Sequence, residues 1–162
     1  MYLANRYIQV KFDTVEISLT KANDGTSGKG GAIAMTAADM LTITNSLVQD
    51  TEAETSTILY STAQTVDIIF SYNTFICDND FSADGAYTEE YLDQDEPVTT
   101  SSNGMQIENA VSVTSTENSY SQCGIGTRGG LFRLVSTVFI ETQSEYFNIA
   151  ASRGGVIFCQ DC

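Results

Sequence analysis

Along Tyr7-Ile8-Gln9-Val10-Lys11-Phe12, apolar and polar side chains alternate, and the alternation resumes through Val15-Glu16-Ile17-Ser18-Leu19. A period of two puts one set of side chains on one face of a strand. The pattern returns at Met40 to Val48, Ser56 to Tyr60, Val66 to Phe70 and Asn73-Thr74-Phe75. It returns again at Asn103 to Ile107, Val111-Ser112-Val113, Asn118-Ser119-Tyr120, Gly130 to Ile140, Tyr146 to Ile149 and Gly155 to Phe158. Polar or glycine-containing turns such as Asn23 to Gly28 and Gln49 to Glu54 separate these runs. No amphipathic helix is evident, so the pattern predicts an all-β chain of short strands.

The strands recur in groups. A basic residue, two glycines and an apolar strand start occur as Lys29-Gly30-Gly31-Ala32-Ile33, Arg128-Gly129-Gly130-Leu131-Phe132 and Arg153-Gly154-Gly155-Val156-Ile157. Gly31 to Thr57 is 26 residues, Gly104 to Gly130 is 26, and Gly130 to Gly155 is 25. The interval from Thr57 to Gly104 is 47, one period plus 21, and the acidic stretch Asp78 to Pro97 accounts for the excess as an inserted loop. The expectation is one domain, 1–162, with coils near 5–30, 31–56, 57–77, 103–129, 130–154 and 155–162, and the insertion at 78–97. A repeat of this size cannot bury its apolar face alone, so neighbouring coils must stack. About six coils at roughly 4.8 Å give a rod about 30 Å long with an unpaired strand edge at each end.

Gly30-Gly31-Ala32-Ile33, together with Leu41-Thr42-Ile43-Thr44-Asn45-Ser46 and its echo Asn118-Ser119-Tyr120, resembles the repeats of right-handed parallel β-helix proteins of the pectin-lyase-like superfamily. It is particularly similar to polymorphic-outer-membrane-protein-type repeats, which pair a Gly-Gly-Ala-Ile phrase with a Phe-x-x-Asn phrase, here varied as Phe75-Ile76-Cys77-Asp78. The resemblance implies a right-handed parallel β-helix solenoid. It also implies surface-exposed adhesins, extracellular structural proteins or, in other branches, polysaccharide-cleaving enzymes. A leucine-rich repeat, the rival at this period, lacks its Leu-x-x-Leu-x-Leu phrase here.

Composition changes the picture on the side of partners. The formal charge is −14, and between Lys29 and Arg128 there is no Lys or Arg against fifteen Asp and Glu. Nucleic acid and anionic membrane surfaces need a basic face and are not expected partners. No apolar run approaches the length of a membrane span, and Met1 to Arg6 does not open a signal peptide.

Candidate chemistry is sparse. Asp78, Asp80, Ser82, Asp84 and Glu89 follow the ligand spacing of a calcium loop, with Ala83 where the turn wants glycine, so a calcium site competes with a plain solvated loop. No cofactor is required. Stacking brings Cys77 and Cys123 within bridging reach if adjacent coils take the right register. Cys159-Gln160-Asp161-Cys162 has metal or redox spacing, but without a second Cys or His pair it reads as a disulfide region. Lys29, Arg128 and Arg153 stand either as a basic ridge or as stems covering apolar surface. Gly30, Gly31, Gly129, Gly130, Gly154 and Gly155 read as solenoid corners rather than a phosphate loop.

The chain has no His, which removes the usual acid, base and triad partner, so no enzyme is expected. The expected function is a structural or adhesive surface or extracellular protein that associates end to end or forms part of a longer solenoid. A polysaccharide lyase or hydrolase and a calcium-stabilised binding module are the alternatives. Carbohydrate or a cell-surface protein is the expected external partner.

Overall fold

The computed structural model describes residues 8–22, 28–53, 55–77, 103–126, 130–151 and 154–162. All regular structure in them is β. The first, partial coil holds β1 (Gln9–Asp13), β2 (Glu16–Ser18) and β3 (Lys21–Ala22); the second holds β4 (Ile33–Met35), β5 (Met40–Thr44), β6 (Leu47–Gln49) and β7 (Glu52–Ala53). The third comprises β8 (Leu59–Ser61), β9 (Asp67–Ser71) and β10 (Thr74–Ile76), and the fourth β11 (Met105–Glu108), β12 (Ser112–Thr116) and β13 (Ser119–Gly126). β14 (Phe132–Val135), β15 (Val138–Thr142) and β16 (Glu145–Ala151) make the fifth, and β17 (Ile157–Gln160) opens a sixth.

Fifteen of these strands stack into three parallel sheets, and β3 pairs with β7 in a short two-stranded one. Sheet A runs β1-β5-β9-β12-β15, sheet B runs β2-β6-β10-β13-β16, and sheet C runs β4-β8-β11-β14-β17. The chain is a β-solenoid. Four coils are complete and the first and last are partial, so each sheet has five strands and the stack is about 20 Å long, shorter than six full coils would give.

Each strand contributes alternate side chains to the interior, and each interior position forms a column along the axis. Val10, Leu41, Ile68, Val113 and Phe139 form one column of sheet A; Ile17, Val48, Phe75, Tyr120 and Tyr146 form the column of sheet B. In the latter, the rings of Phe75, Tyr120 and Tyr146 stack nearly parallel, with centroids 5.1 and 5.4 Å apart. Such a column follows from parallel in-register pairing, which sets like positions about 4.8 Å apart.

The backbone ladder threads the Gly-Gly corner. Ala32 N–H donates to the Thr57 carbonyl, Ile58 to Gly104, Gly104 to Gly130 and Gly130 to Gly155. In sheet A, the steps from Met40 to Asp67 and from Ser112 to Val138 are 27 and 26 residues, whereas Gln9 to Met40 is 31. That excess falls between Ala22 and Lys29, since Ala22 pairs Ala53 and Lys29 pairs Thr55. The described ladder runs to Cys77 and resumes at Asn103, whose carbonyl meets the Thr57 N–H.

The two glycines of a corner have different duties. Gly30 and Gly154, the first of their pairs, have φ of +65° and +64°, a conformation that L side chains rarely adopt. Gly130, a second glycine, is needed for close approach instead: a Cβ there would lie 2.5 Å from the carbonyl oxygens of both Ala150 and Gly155. A Cβ on Gly155 would meet nothing within 4 Å. Gly130→Ala is therefore expected to cost about 2 kcal/mol through overpacking against fixed backbone, and Gly155→Ala less than about 0.5. Urea unfolding of the two variants checks the difference, and equal midpoints would refute it.

Candidate functional site

What the described residues offer as a site is the ends of the stack and the polar groups that join one coil to the next. The corner from sheet A to sheet B is built the same way in every coil. Thr14, Asn45, Tyr72, Glu117 and Gln143 occupy it with φ between +50° and +59°. The residue after it then turns its side chain inward. At that inward position stand Val15, Ser46, Asn73, Asn118 and Ser144, and each of the four polar side chains caps the backbone of the coil before it. Val15 N–H donates to Ser46 Oγ (3.1 Å), Ser46 N–H to Asn73 Oδ1 (2.9 Å), Asn73 N–H to Asn118 Oδ1 (2.9 Å) and Asn118 N–H to Ser144 Oγ (3.1 Å). The asparagine amides also donate to main-chain carbonyls, Asn73 to Ile43 (2.7 Å) and Asn118 to Phe70 (3.0 Å). Coil joins coil through buried side chains as well as through strand pairing.

This register shifts the expected echo by one residue. Leu47 and Ser119 both pair with Thr74, so Asn118 corresponds to Ser46 and Asn45 to Glu117. Asn45 is an exposed corner residue, whose amide, with Thr44, holds the Asp13 carboxyl below the usual carboxylate range. A phrase of Ser or Asn, any residue, then Val or an aromatic ring would have found the ladder: Ser46-Leu47-Val48, Asn73-Thr74-Phe75, Asn118-Ser119-Tyr120, Ser144-Glu145-Tyr146.

The ends are distinguished by burial. Ten hydrophobic residues pack against the core while remaining partly exposed: Val10, Phe12, Ile17, Ala32 and Ile33, and Phe139, Tyr146, Ile149, Val156 and Ile157. The first five line the N-terminal end and the second five the C-terminal end. Core between them is closed, with Leu41, Val48, Leu59, Ile68, Phe70, Phe75, Met105, Val113, Tyr120 and Phe132 at 0% exposure.

At the C-terminal end of the described stack the polar ladder widens into a constellation of side chains. The column Phe12, Ile43, Phe70 becomes Ser115 and then Glu141 in the last two coils. Ser115 Oγ lies 3.0 Å from both Tyr120 Oη and Ser144 Oγ and accepts from the Asn118 amide at 3.1 Å. Glu141 accepts the Ser144 N–H through Oε1 (2.9 Å) and the Tyr146 hydroxyl through Oε2. Burial pushes the Tyr146 phenol above its ordinary range, and the Glu141 carboxylate adds to the shift; burial does the same to Tyr120. These phenols are hydrogen-bond donors, not bases, at any ordinary pH.

Compared with family models, curated proteins and solved structures, the chain matches none. The solenoid thus rests on the strand ladder itself. Of the residues singled out by sequence, Cys77 and Cys123 are bridged, with Cα atoms 5.0 Å apart, buried between the third and fourth coils. Cys159 is bridged to Cys162 at the exposed end. Lys29 Nζ donates to Tyr60 Oη (3.2 Å) and sits 4.6 Å from the ring centroid, covering an aromatic face. Arg128, Arg153, Gly129 and the calcium set Asp78, Asp80, Ser82, Asp84 and Glu89 lie outside the described residues. Among the described residues, no group of three or more His, Cys, Asp or Glu could hold a metal, and no helix is long and apolar enough to cross a membrane.

Proposed function

We propose that this chain is a structural or adhesive β-helix protein of a cell surface or extracellular matrix, which works by joining its coil ends to like coils, either further copies or further coils of a longer solenoid. The carrying observation is that, among the described residues, the partly exposed hydrophobics that pack on the core lie in the two end layers. A side chain such as Phe12 or Ile17 gains by burial only if something covers it, and unpaired parallel strand edges above it are templates for another strand. Two disulfides support an oxidising compartment. The repeat of Gly-Gly with a following apolar strand supports placement with the right-handed, pectin-lyase-like solenoids and, within them, the polymorphic-outer-membrane-protein-type repeats.

Association through the N-terminal end is tested by light scattering and electron microscopy of the purified chain and of Phe12→Asp. The wild type is expected as a defined oligomer and the variant as a monomer with its far-ultraviolet spectrum intact, because a carboxylate at the centre of an apolar layer cannot be covered without a partner. A folded wild-type chain that is monomeric at tens of micromolar would defeat association between copies. Calcium enters only as a test: unchanged melting with chelator removes the calcium-stabilised alternative.

A further inference from the structure

The third and fourth coils are paired like the second and third but joined differently. β4 with β8, β5 with β9 and β6 with β10 match three, five and three residues, and β8 with β11, β9 with β12 and β10 with β13 match the same numbers. The chain that connects the coils is not alike. From Ala53 to Thr55 is two residues, from Gly126 to Gly130 four, from Ala151 to Gly154 three and from Ala22 to Lys29 seven, whereas from Cys77 to Asn103 is 26. Loop-closure entropy rises with the length of chain to be closed, so among the described coils this junction forms at the greatest cost for the same kind of strand pairing.

It is also the junction that carries the buried bridge. Cys77 follows β10 and donates its N–H to the Ser121 carbonyl (3.2 Å), and Cys123 lies in β13. The start of the fourth coil rests on the sulfur: a Cβ on Gly104 would lie 2.9 Å from Cys77 Sγ. The stability of a solenoid is a sum of coil and nearest-neighbour contributions, so a stack can part at one junction while the coils on either side stay folded. With the bridge closed, parting is barred here. With it reduced, this junction has the least to hold it.

We infer that the Cys77–Cys123 bridge is a redox latch on the stack. Oxidised, it makes the first three described coils and those that follow a single unit; reduced, it lets them part between Phe75 and Tyr120, whose rings stack across the junction. The reductant is a dithiol. One of its thiolates attacks a bridge sulfur, the S–S bond breaks, and the other cysteine leaves as a thiolate that takes up a proton. The second thiol then displaces the attached cysteine, so the reductant closes into its own disulfide and two electrons pass to the protein, which is left with two thiols. Both cysteines are buried, and the attack therefore waits on local opening beside Gly104.

Amide hydrogen exchange reads successive junctions through equivalent corner residues. Asn45 N–H donates to the Ser71 carbonyl across the second and third coils, Tyr72 to Thr116 across the third and fourth, and Glu117 to Thr142 across the fourth and fifth. The proteins compared are the oxidised wild type, the wild type reduced with dithiothreitol, C77A/C123A and C159A/C162A, with thiol counting and circular dichroism to establish reduction and folding. Reduction, and equally C77A/C123A, is expected to speed exchange at Tyr72 by about tenfold or more relative to Asn45 and Glu117, and reoxidation of the wild type to reverse it. C159A/C162A is expected to exchange as the oxidised wild type does, and a Tyr72-selective acceleration there would overturn the inference. Equal acceleration at all three corners, loss of the whole fold included, would overturn it too, as would unchanged exchange at Tyr72 in fully reduced, folded protein. Should the alanine pair not fold, the reduced wild type decides by itself.

Discussion

Replacing both members of the buried bridge, C77A/C123A, is expected to lower the melting temperature by about 10 °C. The two cysteines are 46 residues apart, and closing a loop of that length removes about 4 kcal/mol of chain entropy from the unfolded state. For a chain of this size, 1 kcal/mol shifts the midpoint by about 2 to 4 °C. The position matters as much as the length. The bridge joins the end of β10 to β13, so it fastens the third coil to the fourth, the pair of successive coils with the longest stretch of chain between them. Scanning calorimetry of the variant against the oxidised wild type measures the effect. A midpoint within about 3 °C of wild type would mean that strand pairing alone holds the two coils and that the bridge is incidental.

Asn118→Ala is the second large effect, a loss of about 3 kcal/mol with no change in surface charge. Asn118 is 2% exposed. Its amide donates to the Phe70 carbonyl and Ser115 Oγ, and its Oδ1 accepts from the N–H and the side chain of Asn73. Alanine leaves the Asn73 N–H buried without its acceptor, at about 1 to 3 kcal/mol, and removes one donor from the Phe70 carbonyl and one from Ser115 Oγ. Asn118→Ser should recover part of the loss, because serine fills the same position at Ser46 and Ser144 and caps the preceding N–H there. Chemical denaturation of the three proteins gives the order wild type, serine, alanine. Alanine matching wild type would show that the ladder decorates the stack without holding it.

Both predictions concern cohesion between coils, and cohesion is the property on which the proposed function depends. Strand pairing is sequence-tolerant, so it permits a coil to join almost any other parallel edge. The inward ladder and the core columns are selective, since they ask the neighbour for an acceptor at one place and an apolar side chain at others.

Much of this was legible in the chain itself. Alternation marked nearly every strand, the absence of helical periodicity held, and the phrases at Gly31, Thr57, Gly104, Gly130 and Gly155 lie on one hydrogen-bonded ladder. Those features are local or strictly periodic, which is why one sequence suffices to read them. The corner residues were not legible. Tyr72, Glu117 and Gln143 adopt positive φ without any sequence signal, because the stacking of neighbouring coils, not the preference of the residue, sets that corner. The ladder was missed for a related reason: Asn45 next to Ser46 is the more suggestive asparagine, and only the pairing of Leu47 and Ser119 with Thr74 shows that Ser46 is the inward one.

The sequence by itself determined the class of fold and its repeat, since both depend on spacing along the chain. The tertiary structure alone decided which side chains face inward at each corner and that Cys77 meets Cys123. These depend on register between coils, and in a strand a shift of one residue turns every inward side chain outward. A periodicity of about 26 residues locates a coil, but only the hydrogen-bonded ladder fixes it to the single residue on which a cap or a bridge depends.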